Sequence, residues 1–397
     1  MISSCKTLRL SIVSSAATLS LLLGSCESGT RRTADDSNDR TPATATSAPA
    51  RTAPDVQSQT PTAHPQEASL SDVVQLTSSF ARAGEAYFSP DGQWIIFQAA
   101  PADQQHYDMY VAKLKRQSDA IVGTERPVRI SPDNSWNSCG YFSPDGRSLI
   151  FASTGKKGLG DTAPGGYQRQ GGNYRWSFPA TADIYRADDW QAAVSASGGD
   201  AIDLARRSLT DNDAYDAECG FSPDGKWIVF SSNRDGDAEL YAMRADGSGT
   251  VRLTNTKGYD GGPFFSPDGK RIVYRSDRKG NDLLQVFTAD LAFDGDGNVT
   301  GTTNERQLTD DSNVNWGPYW HPDGRHIVFA TSAHGHHNYE LYWMRDDGSR
   351  KSRITFAPGF DGLPVFSNDG AYLMWSSKRT KDNTTQIFVA KFTPPQA

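Results

Sequence analysis

The sequence predicts an all-β fold, a six-bladed β-propeller whose last blade is closed by an N-terminal strand, and three observations predict it. A five-residue phrase occurs six times: Phe88 to Gly92, Phe142 to Gly146, Phe221 to Gly225, Phe265 to Gly269, Trp320-His321-Pro322-Asp323-Gly324 and Phe366-Ser367-Asn368-Asp369-Gly370. Each phrase is followed by a short strand that is apolar on both faces, such as Trp94 to Phe97 or Trp227 to Phe230. A Leu-Thr pair or its equivalent precedes every phrase, beginning with Leu76-Thr77 ahead of the first one. Self-similarity at this period marks stacked supersecondary units that bury their faces only against neighbours, so copies of the phrase count blades.

The chain of 397 residues opens with Lys6 and Arg9, an apolar run from Leu10 to Leu23, and Gly24-Ser25-Cys26. That is the layout of a secretory signal over residues 1–25, and Leu23 to Cys26 resembles the bacterial lipobox, which makes Cys26 the lipidated first residue of the mature protein. From Glu27 to Ser69 there is no aromatic residue, Leu, Ile or Met. Such a stretch cannot bury enough to offset its ordering entropy, so residues 26–69 read as a lipidated, disordered tether and 70–397 as the propeller. The net charge of −7 gives no electrostatic reason to bind nucleic acid, which needs clustered Lys and Arg.

Within each unit the phrase is a hairpin turn between strands A and B. Pro presets φ at the first central position, Asp tolerates the second and Gly takes the left-handed conformation. Strand B, apolar on both faces, suits a sheet packed between two neighbours. Strand C follows around Met109-Tyr110, Ile184-Tyr185, Leu240-Tyr241, Val286-Phe287, Leu341-Tyr342 and Ile387-Phe388, and strand D ends in the Leu-Thr pair. Because one Leu-Thr precedes the first phrase and the chain ends after the last strand C, the outer strand of blade 6 comes from about residues 70–77. Blade 2 carries two insertions, Gly155 to Ala182 between strands B and C and Ala187 to Arg206 between C and D.

The Leu-Thr pair, acidic loop, Phe-Ser-Pro-Asp-Gly phrase and Tyr-bearing strand resemble the WD40-like (PD40) repeat of TolB-type β-propellers, over roughly Leu70 to Phe392. The resemblance implies a central channel and a periplasmic protein that mostly binds other proteins. TolB-type proteins resemble a two-domain arrangement with an α/β domain ahead of the propeller, and here that stretch reads as tether. The expected partner is a periplasmic or envelope protein or a polymer ligand, with membrane contact through the lipid anchor only, a monomeric state, and a location in the periplasm at the outer membrane. The other reading is a metal-dependent lyase. No Gly-x-Ser-x-Gly elbow supports a serine hydrolase.

Strand order puts the D-to-A and B-to-C connections on one face of the disc and the Pro-Asp-Gly turns on the other. On the first face the D-to-A loops offer Asn137, Asp216, Asp260, Asn315 and Asp361, preceded by Trp136, Tyr215, Tyr259 and Phe360, with Glu85 and Glu218 nearer the strands. These residues read as an acidic, aromatic-rimmed mouth, or as caps of their own loops. Tyr167, Arg169, Tyr174, Arg175 and Trp176 of the first blade 2 insertion are candidate interface anchors. No cofactor is expected, with a divalent metal as the alternative. His334, His336 and His337 in blade 5, with His106 in blade 1, are candidate ligands, and Asp294, Asp296, Asn298 and Glu305 have calcium-loop spacing. Cys139 and Cys219 hold nearly equivalent positions in adjacent units and are placed for a disulfide in an oxidising compartment, or for burial as thiols.

Overall fold

The Ser-Pro-Asp-Gly phrase folds as a hairpin because its own side chains replace the missing ladder. In five blades the Ser hydroxyl donates to the Asp carboxylate two residues on at 2.5–2.7 Å. The same hydroxyl accepts the first amide of strand B at 2.9 Å. The closing glycine sits at φ 63° to 72° in all six turns, where a β-carbon would be strained. In blade 5 His321 takes the place of Ser. Its Nδ1 accepts the Asp323 amide at 3.2 Å, and Asp323 instead binds the His326 imidazole at 2.7 Å.

The computed structural model describes residues 64–159, 166–170, 173–177, 179 and 181–396. The signal segment, Cys26 and the tether ahead of His64 lie outside them. Six antiparallel sheets follow in chain order. Blade 1 has strands A Phe80–Phe88, B Trp94–Pro101 and C Asp108–Gln117, with Ala120–Thr124 and Val128–Arg129 outside them. Strands A, B, C and D of blade 3 are Asp216–Phe221, Trp227–Ser232, Glu239–Arg244 and Val251–Arg252, and blades 4 and 5 repeat this order. Strand B is buried throughout in blades 2, 3 and 6, as expected of a sheet covered on both faces.

Strand D is two residues long in four blades, and the Leu-Thr pair explains why so little suffices. Its first residue donates its amide to a strand C carbonyl, and the Thr or Ser hydroxyl accepts the amide of that same residue at 2.8–3.1 Å in all six blades. A side chain thus extends the ladder by one rung beyond the backbone pairing.

Ring closure follows the sequence expectation. Leu70–Gln75 pairs with Gln386–Phe392, Leu70 opposite Phe392 and Val74 opposite Val389. The boundary needs correction, because the fold begins before Leu70. Glu67, expected in the tether, is buried, and its carboxylate accepts the amides of His64 and Phe356 and pairs with Arg379 at 3.0 Å. Arg379 pairs in turn with Asp361 at 3.0 Å, so the entering chain is clamped to blade 6 by charge as well as by strand pairing.

Both blade 2 insertions contain regular elements. Gly166–Gln170 and Asn173–Ser177 form an antiparallel hairpin with Tyr174 opposite Arg169 and Trp176 opposite Tyr167. The anchoring expected of the side chains of Tyr167, Arg169, Tyr174, Arg175 and Trp176 lies outside the described residues. The second insertion holds the helix Trp190–Ala196. Trp190 is fully buried, 5.3 Å edge-on to Trp94, and donates to the Gly146 carbonyl at 3.0 Å. Beyond the helix, the Ile202 and Leu204 amides donate to the Arg129 and Ile130 carbonyls, covering the outer edge of blade 1.

Candidate functional site

Every strand A carries one residue too many. The ladder between strands A and B slips after the second pair in blades 2 to 6 and at the matching place in blade 1. The residue three before the phrase aromatic is left-handed in all six copies: Glu85 at 49°, Cys139 at 55°, Glu218 at 56°, Gly262 at 58°, Gly317 at 57° and Leu363 at 53°. Four of these are not glycine, and each costs about 1 kcal/mol of backbone strain. The bulges bring all six to the wall of one cavity of about 730 Å³ on the propeller axis. Glu85, Cys139 and Glu218 are therefore channel residues.

The residue immediately before the phrase aromatic forms the floor. Tyr87, Tyr141, Phe264 and Tyr319 pack edge-on or tilted around the axis with ring centroids 4.9–6.3 Å apart. The Tyr141 and Tyr319 hydroxyls meet at 3.1 Å. The opposite end is lined by Trp136, Tyr215, Trp316, Tyr339 and Phe360, together with His336 and His337. These belong to D-to-A connections, B-to-C connections or strand A, and no turn phrase lines the cavity, so the mouth lies on the face that strand order indicated.

Glu218 is the anchored carboxylate of the channel. It accepts from Ser231 Oγ at 2.9 Å, Tyr259 Oη at 2.8 Å and the Gly262 amide at 2.6 Å, and pairs with Arg275 at 2.9 Å. Gly262 must lack a side chain here, since a β-carbon would lie 2.0 Å from Arg275 Nη1. Glu85 is different. Half-buried in the wall, it meets the Tyr87 hydroxyl at 3.5 Å and the Cys139 thiol, and among the described residues no ion pair reaches it. Burial pushes its carboxyl up to about 7, the Glu218 charge adds to the rise, and Cys139, Arg275 and Tyr87 oppose it.

A raised carboxyl binds a proton more tightly folded than unfolded, so it lowers stability as pH rises from 4.5 to about 7. We expect Glu85→Gln to exceed the native protein by about 2 kcal/mol at pH 8 and to match it at pH 4.5, read from denaturant midpoints. An equal difference at both pH values would contradict this assignment.

The acidic mouth expected from the D-to-A loops is not at the surface. Asp216, Asp260 and Asp361 are buried and paired with Arg234, Arg278 and Arg379 at 2.9, 3.3 and 3.0 Å. Each arginine lies 18 residues after its aspartate, at the end of strand B. Asn137 and Asn315, which have Gly155 and Ala333 at that position, are buried without an arginine: Asn137 bonds Ser135 and Ser153, and Asn315 donates to Gln285 and to the Asp311 carboxylate. Tyr259 is buried in the Glu218 network. Trp136, Tyr215 and Phe360 do line the mouth.

The metal candidates are dispersed. His334 Nε2 meets the Tyr342 hydroxyl at 2.7 Å and its Nδ1 faces Arg353, whereas His336 and His337 line the cavity. His106 packs 6.5 Å from Trp136. The calcium-like spacing is a β-turn in which Asp294 accepts from the Asp296 and Asn298 amides, while Glu305 is held by Tyr274 and Arg278. Among the described residues no three His, Cys, Asp or Glu gather as a metal site. Of the two readings of Cys139 and Cys219, a disulfide or buried thiols, the structure has buried free thiols, Cys219 Sγ lying 3.5 Å from the Cys139 carbonyl, and burial raises both.

Sequence reading missed the floor and Arg275. A signal for the floor was present, since the residue before the phrase is aromatic in four of six copies. Arg275 had no such signal, as strand B otherwise carries Ser, Ala or Gln at that position.

Residues 204–305 match the family described as the TolB beta propeller domain, PD40. Among solved structures, a protein described as TolB from Agrobacterium tumefaciens is 21% identical with a TM-score of 0.49, over 79% of this chain and 91% of that one. TolB from Acinetobacter baumannii is 20% identical with a TM-score of 0.49, over 80% of this chain and 65% of that one. An oligogalacturonate lyase in complex with manganese is 16% identical with a TM-score of 0.48, over 86% and 98%. Residues 204–305 of this six-bladed β-propeller thus resemble the TolB beta propeller domain.

Proposed function

We propose that this protein is a cell-envelope binding module: a propeller tethered through a lipidated Cys26, in the periplasm at the outer membrane, that presents its channel mouth to an envelope protein or polymer without catalysing a reaction. The observation that carries this reading is the cavity of about 730 Å³ walled by Trp136, Tyr215, Trp316, Tyr339 and Phe360 and floored by four more rings. Concave aromatic sites of a few hundred Å³ with a few placed polar groups are where proteins hold ligands, and Trp and Tyr dominate binding hot spots. The PD40 repeats and the signal and tether composition support the envelope setting. A His-bound metal lyase gains no support from the dispersed blade 5 histidines.

The test is capture of partners from solubilised envelopes by the tagged protein. Trp136→Ala with Phe360→Ala should reduce capture at least about tenfold, each lost aromatic anchor being worth about 2 kcal/mol. Asp224→Lys, in a turn on the far face, should leave it unchanged. The reverse pattern would sink the proposal.

A further inference from the structure

The channel holds an unbalanced charge. Of its three central ionisable groups, Glu218 and Arg275 neutralise one another at 2.9 Å with four hydrogen bonds around the pair. Glu85, presented into the same cavity by its left-handed bulge, has only the Tyr87 hydroxyl at 3.5 Å and the Cys139 thiol. Ionised, it carries a negative charge that no ion pair balances among the described residues, beside aromatic walls and above packed rings, with the exposed Lys378 at the mouth. Aromatic faces attract cations, and a desolvated carboxylate binds an ammonium or guanidinium by charge-assisted hydrogen bonds.

We propose that the channel is a cation-recognition pocket, in which Glu85 receives the ammonium or guanidinium end of a basic side chain carried by the partner while the aromatic wall receives its apolar stem. The proposal rests on the binding-module reading and adds the ligand chemistry to it. The charge is positioned rather than diffuse, because the five other bulge positions carry Cys139, the satisfied Glu218, Gly262, Gly317 and Leu363. A basic side chain of five or six atoms is the length of reach that a deep, floored cavity selects over the short polar side chains of a flat surface.

Proton competition follows. The groups around Glu85 are Tyr87 on its own strand, the Cys139 and Cys219 thiols, Glu218 and Arg275, and the Tyr107 and Tyr215 hydroxyls. His336, His337 and the exposed Lys378 stand at the mouth. Glu85 is the one of these that burial brings to about 7, so cation affinity should fall about tenfold from pH 8 to pH 6 as it takes up a proton.

The test is calorimetric titration of the folded protein with Nα-acetyl-lysine methylamide and its uncharged analogue Nα-acetyl-norleucine methylamide, which lacks the terminal amine. The lysine probe should bind with 1:1 stoichiometry, at least about tenfold more tightly than norleucine, which is the value of one charged hydrogen bond. Glu85→Gln should remove the preference and flatten the pH dependence. His336→Ala with His337→Ala should keep both the preference and its pH dependence. Equal binding of both probes, a preference that survives Glu85→Gln, calcium chloride binding in place of the amine, or no binding at all would overturn the proposal. Loss of partner capture in the Trp136→Ala, Phe360→Ala protein would still stand apart from any of those outcomes, so failure of the cation pocket and failure of the binding module are separable.

Discussion

A chain starting at Ser78 will not fold to a stable propeller. Removing residues 64–77 takes away the outer strand of blade 6 with the buried Leu70, Val73, Val74 and Leu76, and removes Glu67 from Arg379 and the Phe356 amide. Four buried aliphatic side chains contribute about 2 kcal/mol each, and the lost charge partner leaves Arg379 with Asp361 alone. The total is comparable with the whole stability of an ordinary domain, about 5–15 kcal/mol. Circular dichroism should show no cooperative melt above 25 °C for the truncated chain, and a synthetic peptide of residues 64–77 should restore one. An unchanged melting temperature would contradict closure by this strand.

The second large effect is expected at Arg275. Replacement by Met leaves Glu218 buried beside Tyr259 with no cation, and breaking one side of a buried pair costs about 3–5 kcal/mol. Ser231, Tyr259 and the Gly262 amide still bind the carboxylate, so the lower end applies, about 3 kcal/mol. The double variant Arg275→Met, Glu218→Gln should recover at least half of that, because no uncompensated charge remains. Denaturant midpoints of the two variants check this. Equal loss in both would mean that packing rather than charge governs the position.

The blade architecture was legible because its determinants are local. A Ser hydroxyl bound to the Asp two residues on and a Gly at φ near 70° need no knowledge of the rest of the chain, and six copies in register make the signal strong. Ring closure was legible for the same reason, through the displaced Leu76-Thr77. The site was harder. Asp216, Asp260 and Asp361 read as a surface mouth because their partners lie across the blade, although Arg234, Arg278 and Arg379 recur at a constant distance and vanish where Asn137 and Asn315 replace the acid. Glu67 was hidden by the composition around it, one buried carboxylate in a stretch with no aromatic residue, Leu, Ile or Met.

The bulge was the least visible feature. A left-handed position normally announces itself with glycine, and only Gly262 and Gly317 do so here. Glu85, Cys139, Glu218 and Leu363 carry the strain instead, and with the two glycines they line the channel. Strain held at side chains lining a cavity is what a functional wall requires and what a purely structural bulge does not.

The central claim is that partners engage the channel mouth and not the face of hairpin turns. Site-specific photo-crosslinking in intact envelopes tests it most directly, with the photoreactive side chain placed at Phe360 on the mouth or at Asp224 on the turn face. A discrete crosslinked species is expected from position 360, weakened by Glu85→Gln, and none from position 224. The same species from position 224, with none from 360, would contradict it.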